Sequence, residues 1–206
     1  MRGTKTTPKT LADIEVRTLL AVSGRAERDS RDHILLLLAL STGLRVSELT
    51  ALNVGDIRGG KGVRSIITLR PETTKGKREG EVILPEKVRR KVASYLTWKA
   101  NIGEAVDDDV PLFVSRGGGP AGATRGSRLS VRTAEHLFGI WQTRAGFERR
   151  ANFHILRHTF ATALLRKTKN VRLVQLACRH QSLATTAIYT HPSMQERLDA
   201  ADSFGW

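Results

Sequence analysis

Cysteine is almost missing from this chain. Its one thiol, Cys178, can close no internal disulfide and can build no cysteine-ligated zinc site. Long apolar runs are missing as well: the longest, residues 34–40, falls far short of the roughly 20 residues that span a bilayer. Residues 1–10 are polar and rich in lysine and threonine, with nothing like the apolar middle of a signal peptide. Disulfide-rich, collagen-like and membrane-spanning classes are thereby set aside, and the expected protein is a soluble, intracellular domain. What is present is ordinary for a globular protein, with 40% apolar and 26% charged residues. A chain of 206 residues is one domain, or one domain with a small appendage, and is long enough to bury a core unaided.

Negative charge is the other shortage. There are 20 Asp and Glu against 34 Lys and Arg, a formal net charge of +14. The deficit is local. Residues 149–195 hold eight Lys and Arg and no carboxylate, and residues 61–91 hold ten basic residues against four acidic ones. A solvated surface ordinarily mixes signs, so a stretch of one sign points to a partner that carries the other. A phosphate backbone is that partner, and binding to it weakens steeply with salt. Metal-dependent nucleases gather carboxylates around cations at the scissile phosphate, and the most basic half of this chain has none to give. The acidic triplet Asp107, Asp108 and Asp109 is read as a solvated loop. No metal and no small-molecule cofactor are expected.

Periodicity predicts a mainly α protein with a small antiparallel β-sheet, an α+β class. Helices are expected at residues 10–20, 34–40 (the buried one), 47–52, 85–99 (opened by Pro85), 130–144, 154–167 and 171–178. A further short helix is expected before Tyr189 and a last one at 194–201. Strands are expected at 64–69 and 81–84, joined by a basic hairpin or loop over 70–80, with a glycine-rich turn at 57–62 and a glycine-rich stretch at 116–126 expected to be mobile.

Four segments carry chemistry: Thr42-Gly43-Leu44-Arg45-Val46-Ser47-Glu48-Leu49, Thr74-Lys75-Gly76-Lys77-Arg78-Glu79, His154-Ile155-Leu156-Arg157-His158, and the run from His180 through Ile188-Tyr189-Thr190-His191. Breaking a phosphodiester without metal needs rigid cations around the pentacoordinate phosphorus, which the guanidinium fork supplies best. It needs a nucleophile, for which a tyrosine phenol serves once its proton is drawn off. It also needs an acid for the leaving oxygen and imidazoles to manage protons. Two arginines, a lysine, two histidines and a tyrosine are the set on offer. His154 and His158 stand at i and i+4, a spacing that can bind zinc, but the HExxH glutamate and a third ligand nearby are missing; His158 is read as structural.

These segments resemble the motifs of the tyrosine recombinase (integrase) family, in order and spacing. Residues 42–49 resemble its first arginine motif, His154-Ile155-Leu156-Arg157-His158 its His-x-x-Arg box, and Ile188-Tyr189-Thr190-His191 its nucleophile box. The intervals of 23 residues from Arg157 to His180 and nine from His180 to Tyr189 fit the family range. The resemblance runs from about residue 11 to about residue 199. It implies the catalytic-domain fold shared with type IB topoisomerases and a DNA strand exchange that proceeds through a 3′-phosphotyrosyl link without ATP. Position by position, Tyr189 would be the nucleophile, Arg45 and Arg157 the phosphate clamp, and His154 the base-like partner. His180 would bond the phosphate or orient the tyrosine, and Lys75 would be the acid. Glu48 would support the site from behind. The only other tyrosine, Tyr95, falls on an amphipathic helix. Lys77, two residues beyond Lys75 on the same side of an extended loop, is the alternative acid. Lys77, Arg78 and Arg179 are candidate DNA contacts.

Two features depart from the family pattern. The residue before His180 is usually glycine and here is Arg179, so a bulky cation must either point away from the helix junction or add a phosphate contact. The family's usual N-terminal helical domain is also expected to be absent, with a tail at 1–10 and the catalytic domain at 11–206. The chain is then either an isolated catalytic domain or a short stand-alone member like the fimbrial switch recombinases. The partners implied are double-stranded DNA and further copies of the chain in a synaptic tetramer, in the cytoplasm at the nucleoid, with a bacterial, phage or mobile-element origin. The segment 194–206 could dock on a neighbour or fold back on its own domain. Type IB relaxation of supercoils and a non-catalytic DNA-binding regulator are the alternative functions.

Overall fold

The aliphatic run at 34–40 becomes the middle of a helix, α2 (Ser30–Thr42), around which the other elements are arranged. In the computed structural model, which describes residues 10–25, 30–60, 62–74, 79–117 and 126–180, Ile34, Leu35, Leu36, Leu38 and Ala39 are all buried. A helix that is apolar on every face must be covered on every face. Here α1 (Asp13–Ser23), α3 (Val46–Ala51), α5 (Glu86–Asn101) and α7 (His154–Thr168) pack on it. Next to these, α6 (Val131–Arg144) lies against α1 and α3, and α8 (Val171–Ala177) lies against α7. The α7–α8 contact has its own small apolar cluster of Ala161, Val174 and Cys178, apart from the main core. No helix among the described residues is long and apolar enough to cross a membrane.

Among the described residues the strands form two antiparallel pairs: β1 (Arg58–Gly59) with β2 (Gly62–Val63), and β3 (Ile66–Leu69) with β4 (Gly80–Ile83). The second pair runs in register from Ile66↔Ile83 to Leu69↔Gly80 and turns Ile67, Leu69 and Val82 into the core. The sequence suggested one small sheet and a plain turn at 57–62. Gly62, at φ +117°, lets the chain reverse tightly enough to form a separate ladder there. The one-turn helix α4 (Val54–Ile57) was also not foreseen, because a single turn is too short to show a helical period. The carboxylate of Asp56 stops its first turn from fraying by accepting the Asn53 backbone N–H at 2.8 Å. Ser130 caps α6 by accepting from the Thr133 N–H at 3.0 Å. The helices expected around Tyr189 and at 194–201, and most of the glycine-rich stretch at 116–126, lie outside the described residues.

Among the polar side chains buried in the core is an ion pair. Arg31 and Asp32, at the start of α2, form an ion pair of 2.7 Å whose side chains are 6% and 9% exposed. Arg31 Nη1 also donates to the Val114 carbonyl at 2.9 Å, and the Trp141 indole N–H donates to Asp32 Oδ2 at 3.0 Å. The pair thus joins α2, the segment before the glycine-rich stretch, and α6. Removing one member of a buried pair leaves the other charge uncompensated. Asp32→Ala is therefore expected to lower unfolding stability by about 3–5 kcal/mol in urea titrations; a change below about 1 kcal/mol would show that water reaches the pair.

Candidate active site

The turn after α2 is where the site begins. Gly43 leaves the helix at φ +62°, and a Cβ there would stand 2.4 Å from the Phe160 ring on α7, so no larger residue fits without displacement. Two residues on, Arg45 caps α3 with an extended backbone, and Glu48, three residues into the turn, reaches back to it. Glu48 Oε2 accepts the Arg45 backbone N–H at 2.8 Å, and Oε1 accepts from the Arg45 guanidinium at 2.8 Å. The Glu48 side chain is 1% exposed and that of Arg45 28%. The guanidinium is therefore braced from behind and still reachable by solvent.

Arg157, one turn into α7, points into the same place and is 2% exposed. Its Nη1 donates to the Gly43 carbonyl at 2.5 Å and its Nη2 to the Cys178 carbonyl. A guanidinium has five N–H donors, so these two bonds do not exhaust it. Burial first, and the charge of Arg45 second, pull its pKa down to about 10, which still leaves it cationic at neutral pH. Glu48 shows the opposite balance. Burial alone would raise its pKa, but Arg179 and then Arg45 outweigh that and hold it below the usual carboxylate value.

Three imidazoles complete the cluster. His154 is the first residue of α7, and its ring meets that of His158 edge-on at 4.5 Å between centroids. Desolvation, then Arg157 and Arg45, lower the pKa of His154. His158 is pushed down to about 4 by desolvation, His154 and Arg157. His180 is pushed down to about 4 by desolvation, then Arg157, Arg45, His154 and His158. At neutral pH the three rings are thus uncharged, able to accept or pass a proton, beside two fixed cations.

His180 is placed by the way α8 ends. The Arg179 N–H bonds to the Leu176 carbonyl at 2.9 Å and the His180 N–H to the Gln175 carbonyl at 3.0 Å, the paired bonds of a Schellman turn. That turn needs a left-handed residue, and Arg179 takes it at φ +51°, a conformation that costs a non-glycine residue about 1–2 kcal/mol. The departure noted in the sequence therefore has a conformational basis: glycine is the unstrained residue at that point. The Arg179 side chain turns inward, pairing with Glu48 Oε2 at 2.7 Å while only 14% exposed. Of the two courses the sequence leaves open for this cation, pointing away from the helix junction or adding a phosphate contact, the chain by itself shows the guanidinium held by the buried Glu48 carboxylate.

Of the residues singled out from sequence, Arg45, Glu48, His154, Arg157, Arg179 and His180 come together. Lys75, Lys77, Arg78 and Tyr189 lie outside the described residues. The strands flanking the lysine loop are described: Arg70, at its entry, bonds the Ala51 carbonyl at 2.7 Å, and Gly80, at its exit, lies against the Arg179 stem. Sequence reasoning missed Gln175, which is 7% exposed and bonds the His180 carbonyl through Nε2 at 3.3 Å. A lone glutamine on a short helix gives no signal. A cavity of about 460 Å³ lined by Leu20, His33, Lys91, Tyr95 and Trp98 shares no residue with this cluster. Among the described residues, no group of three His, Cys, Asp or Glu is placed to hold a metal ion.

Comparison with known proteins places this arrangement. The profile of the phage integrase family matches residues 9–196. The chain belongs to that family. Among curated phage integrase family relatives, tyrosine recombinase XerC of Proteus mirabilis is 32% identical over 197 residues, which are 95% of this chain and 59% of that protein. The chain thus spans about 60% of the length of the curated relatives it matches. The crystal structure of XerA recombinase superposes with a TM-score of 0.74 at 28% identity, covering 100% of this chain and 67% of that one. XerH site-specific recombinase bound to its difH substrate gives 0.74 at 27%, covering 98% and 56%. The mainly helical fold with small antiparallel sheets is that of the integrase-family catalytic domain.

The low histidine pKa values fix the sign of a pH effect. His158 and His180 titrate near 4 in the folded chain against an ordinary value of 6.5. Between those values the unfolded chain binds more protons, so stability is full above pH 6.5 and is lost as pH falls toward 4. The urea midpoint is expected to drop between pH 7 and 4.5, and to drop less in His158→Asn. An equal drop in both proteins would contradict the half-buried, neutral placement of His158.

Proposed function

We propose that the chain is the catalytic part of a site-specific DNA recombinase, which cuts and rejoins strands without metal or ATP. The observation that carries this is the convergence of Arg45, Arg157, His154 and His180, from three separate stretches of sequence, around one cationic cluster whose carboxylate, Glu48, already accepts three donor contacts. A carboxylate so engaged is not available to a metal ion. What remains is positive charge on rigid supports, which suits the charge that spreads over phosphate oxygens in a pentacoordinate transition state. The relative XerH, crystallised on its difH substrate, supports duplex DNA as the ligand.

In this reading the Tyr189 oxygen attacks the scissile phosphorus, forming a phosphotyrosyl ester on the 3′ side as the bond to the 5′ oxygen breaks. Lys75, or Lys77 in its place, gives that oxygen its proton, and His154 takes the proton of the phenol. Arg45 and Arg157 hold the non-bridging oxygens, with His180 bonding one of them or the tyrosine. Lys77, when it is not the acid, and Arg78 contact the DNA backbone. Attack by a 5′ hydroxyl from another strand reverses the step and regenerates the phenol. The ester conserves the energy of the broken bond, so no nucleotide is consumed. Exchange between two duplexes requires several copies of the chain, and a tetramer is the assembly proposed. The bacterial sources of the relatives favour a site of action on DNA inside a bacterial cell.

A pool of nicked duplexes of randomised sequence tests this, because cleavage beside the nick releases a short strand and traps the adduct. The unaltered protein is expected to give an SDS-resistant protein–DNA species, unaffected by EDTA, whose sequencing maps the cleaved position. Tyr189→Phe should give none, and Arg45→Ala should form it roughly 10²–10³-fold more slowly. Salt-sensitive DNA binding with no adduct from the unaltered protein would overturn the proposal in favour of a regulator.

A further inference from the structure

Among the described residues, three helices end in the same Schellman turn, and only one of them departs from the usual residue. After α5 and α6 the left-handed position is Gly103 at φ +76° and Gly146 at φ +72°; after α8 it is Arg179 at φ +51°. An unfavourable backbone is retained there, and what the arginine gains is the contact with Glu48 at 2.7 Å. That contact spans 131 residues of sequence. It links the residue next to His180 with the carboxylate that braces Arg45. The stem of Arg179 passes over the first residue of β4, where a Cβ on Gly80 would stand 2.7 Å from Arg179 Cδ. Its side chain therefore touches the two other segments that bear on the site, the Arg45 motif and the strand leaving the lysine loop.

We propose that Arg179 is a positioning residue for strand cleavage, which holds Glu48 so that Arg45 keeps its net charge toward the phosphate. This rests on the recombinase reading above. The electrostatics follow from counting charges. Arg45 paired with Glu48 alone is a neutral couple, whose field at a phosphate is that of a dipole. Arg179 on Oε2 of the same carboxylate, with the Arg45 guanidinium on Oε1, makes the trio +1, so that the exposed Arg45 edge faces a ligand with net positive charge behind it. Glu48 is 1% exposed, so solvent cannot supply that second counter-charge. The family's usual glycine can make no such contact, so the effect is one of degree and not an absolute requirement.

The test separates binding from cleavage. A nicked duplex recovered from the randomised pool serves as the probe, and its Kd and its rate of adduct formation at saturation are measured for Arg179→Met, Arg179→Gly and Arg179→Lys. Met keeps the stem without the charge, and Gly removes the backbone strain, so at least one uncharged variant folds. Both are expected to bind within about twofold of the unaltered protein and to cleave about tenfold more slowly, with Lys restoring most of the rate. Weaker binding with a salt slope reduced by about one, at an unchanged cleavage rate, would make Arg179 a phosphate contact and overturn the proposal. Unchanged binding and unchanged cleavage would overturn it as well. An unaltered protein that cleaves while the variants behave normally sinks this role alone, whereas one that never forms the adduct sinks the recombinase reading and this role with it.

Discussion

The guanidinium of Arg157 is nearly sealed from water and donates to two backbone carbonyls, Gly43 after α2 and Cys178 at the end of α8. One side chain on α7 thereby fixes the distance between the turn that carries Arg45 and the turn that carries His180. Carbonyls are suited to this task because they satisfy buried N–H groups without cancelling the charge, as a carboxylate would. The arginine stays cationic with its pKa near 10, and desolvation first, with its field second, keeps the neighbouring imidazoles neutral. Substituting lysine would keep the charge but could not span both carbonyls with the same planar fork.

Around that centre the protein keeps its charges unequal. Arg45, Arg157 and Arg179 converge with one carboxylate to balance them. In the absence of a ligand this is a costly arrangement, because like charges in a partly desolvated place repel one another. Glu48 lowers that cost, and its burial behind the guanidiniums keeps it from competing with a phosphate. The histidines add no charge at neutral pH. A polyanion, the partner proposed, would relieve the remaining repulsion, and that reading links the composition of residues 149–195 to the local geometry of the site.

Much of this was legible in the sequence, for physical reasons that differ from residue to residue. The aliphatic run at 34–40 could only be a covered helix, and the ordered motifs around Arg45, His154, Arg157 and His180 anticipated a shared site. Glu48 was legible only through its place in the first arginine motif, and the structure supplies the physical reason: a carboxylate three residues into a helix reaches back to the residue before it. The one-turn α4 and the β1–β2 ladder were not, since two to four residues carry no period. Gln175 gave no signal because its role is to bond a backbone carbonyl five residues away. The inward course of Arg179 depends on a tertiary contact with Glu48 that no local pattern encodes. The Arg31–Asp32 pair under Trp141 escaped notice for the same reason: a charged pair at the start of a helix ordinarily faces water.

Whether the cationic cluster grips a reacting phosphorus is settled most directly by a crystal structure of the chain on a nicked duplex with orthovanadate, which takes up the five-coordinate geometry of the phosphorane. The predicted result is vanadium bonded to the Tyr189 oxygen, with the guanidiniums of Arg45 and Arg157 and the ring of His180 within hydrogen-bond distance of its oxygens. Vanadate bound elsewhere on the DNA-facing surface, with Arg45 and Arg157 making no contact to it, would contradict the account.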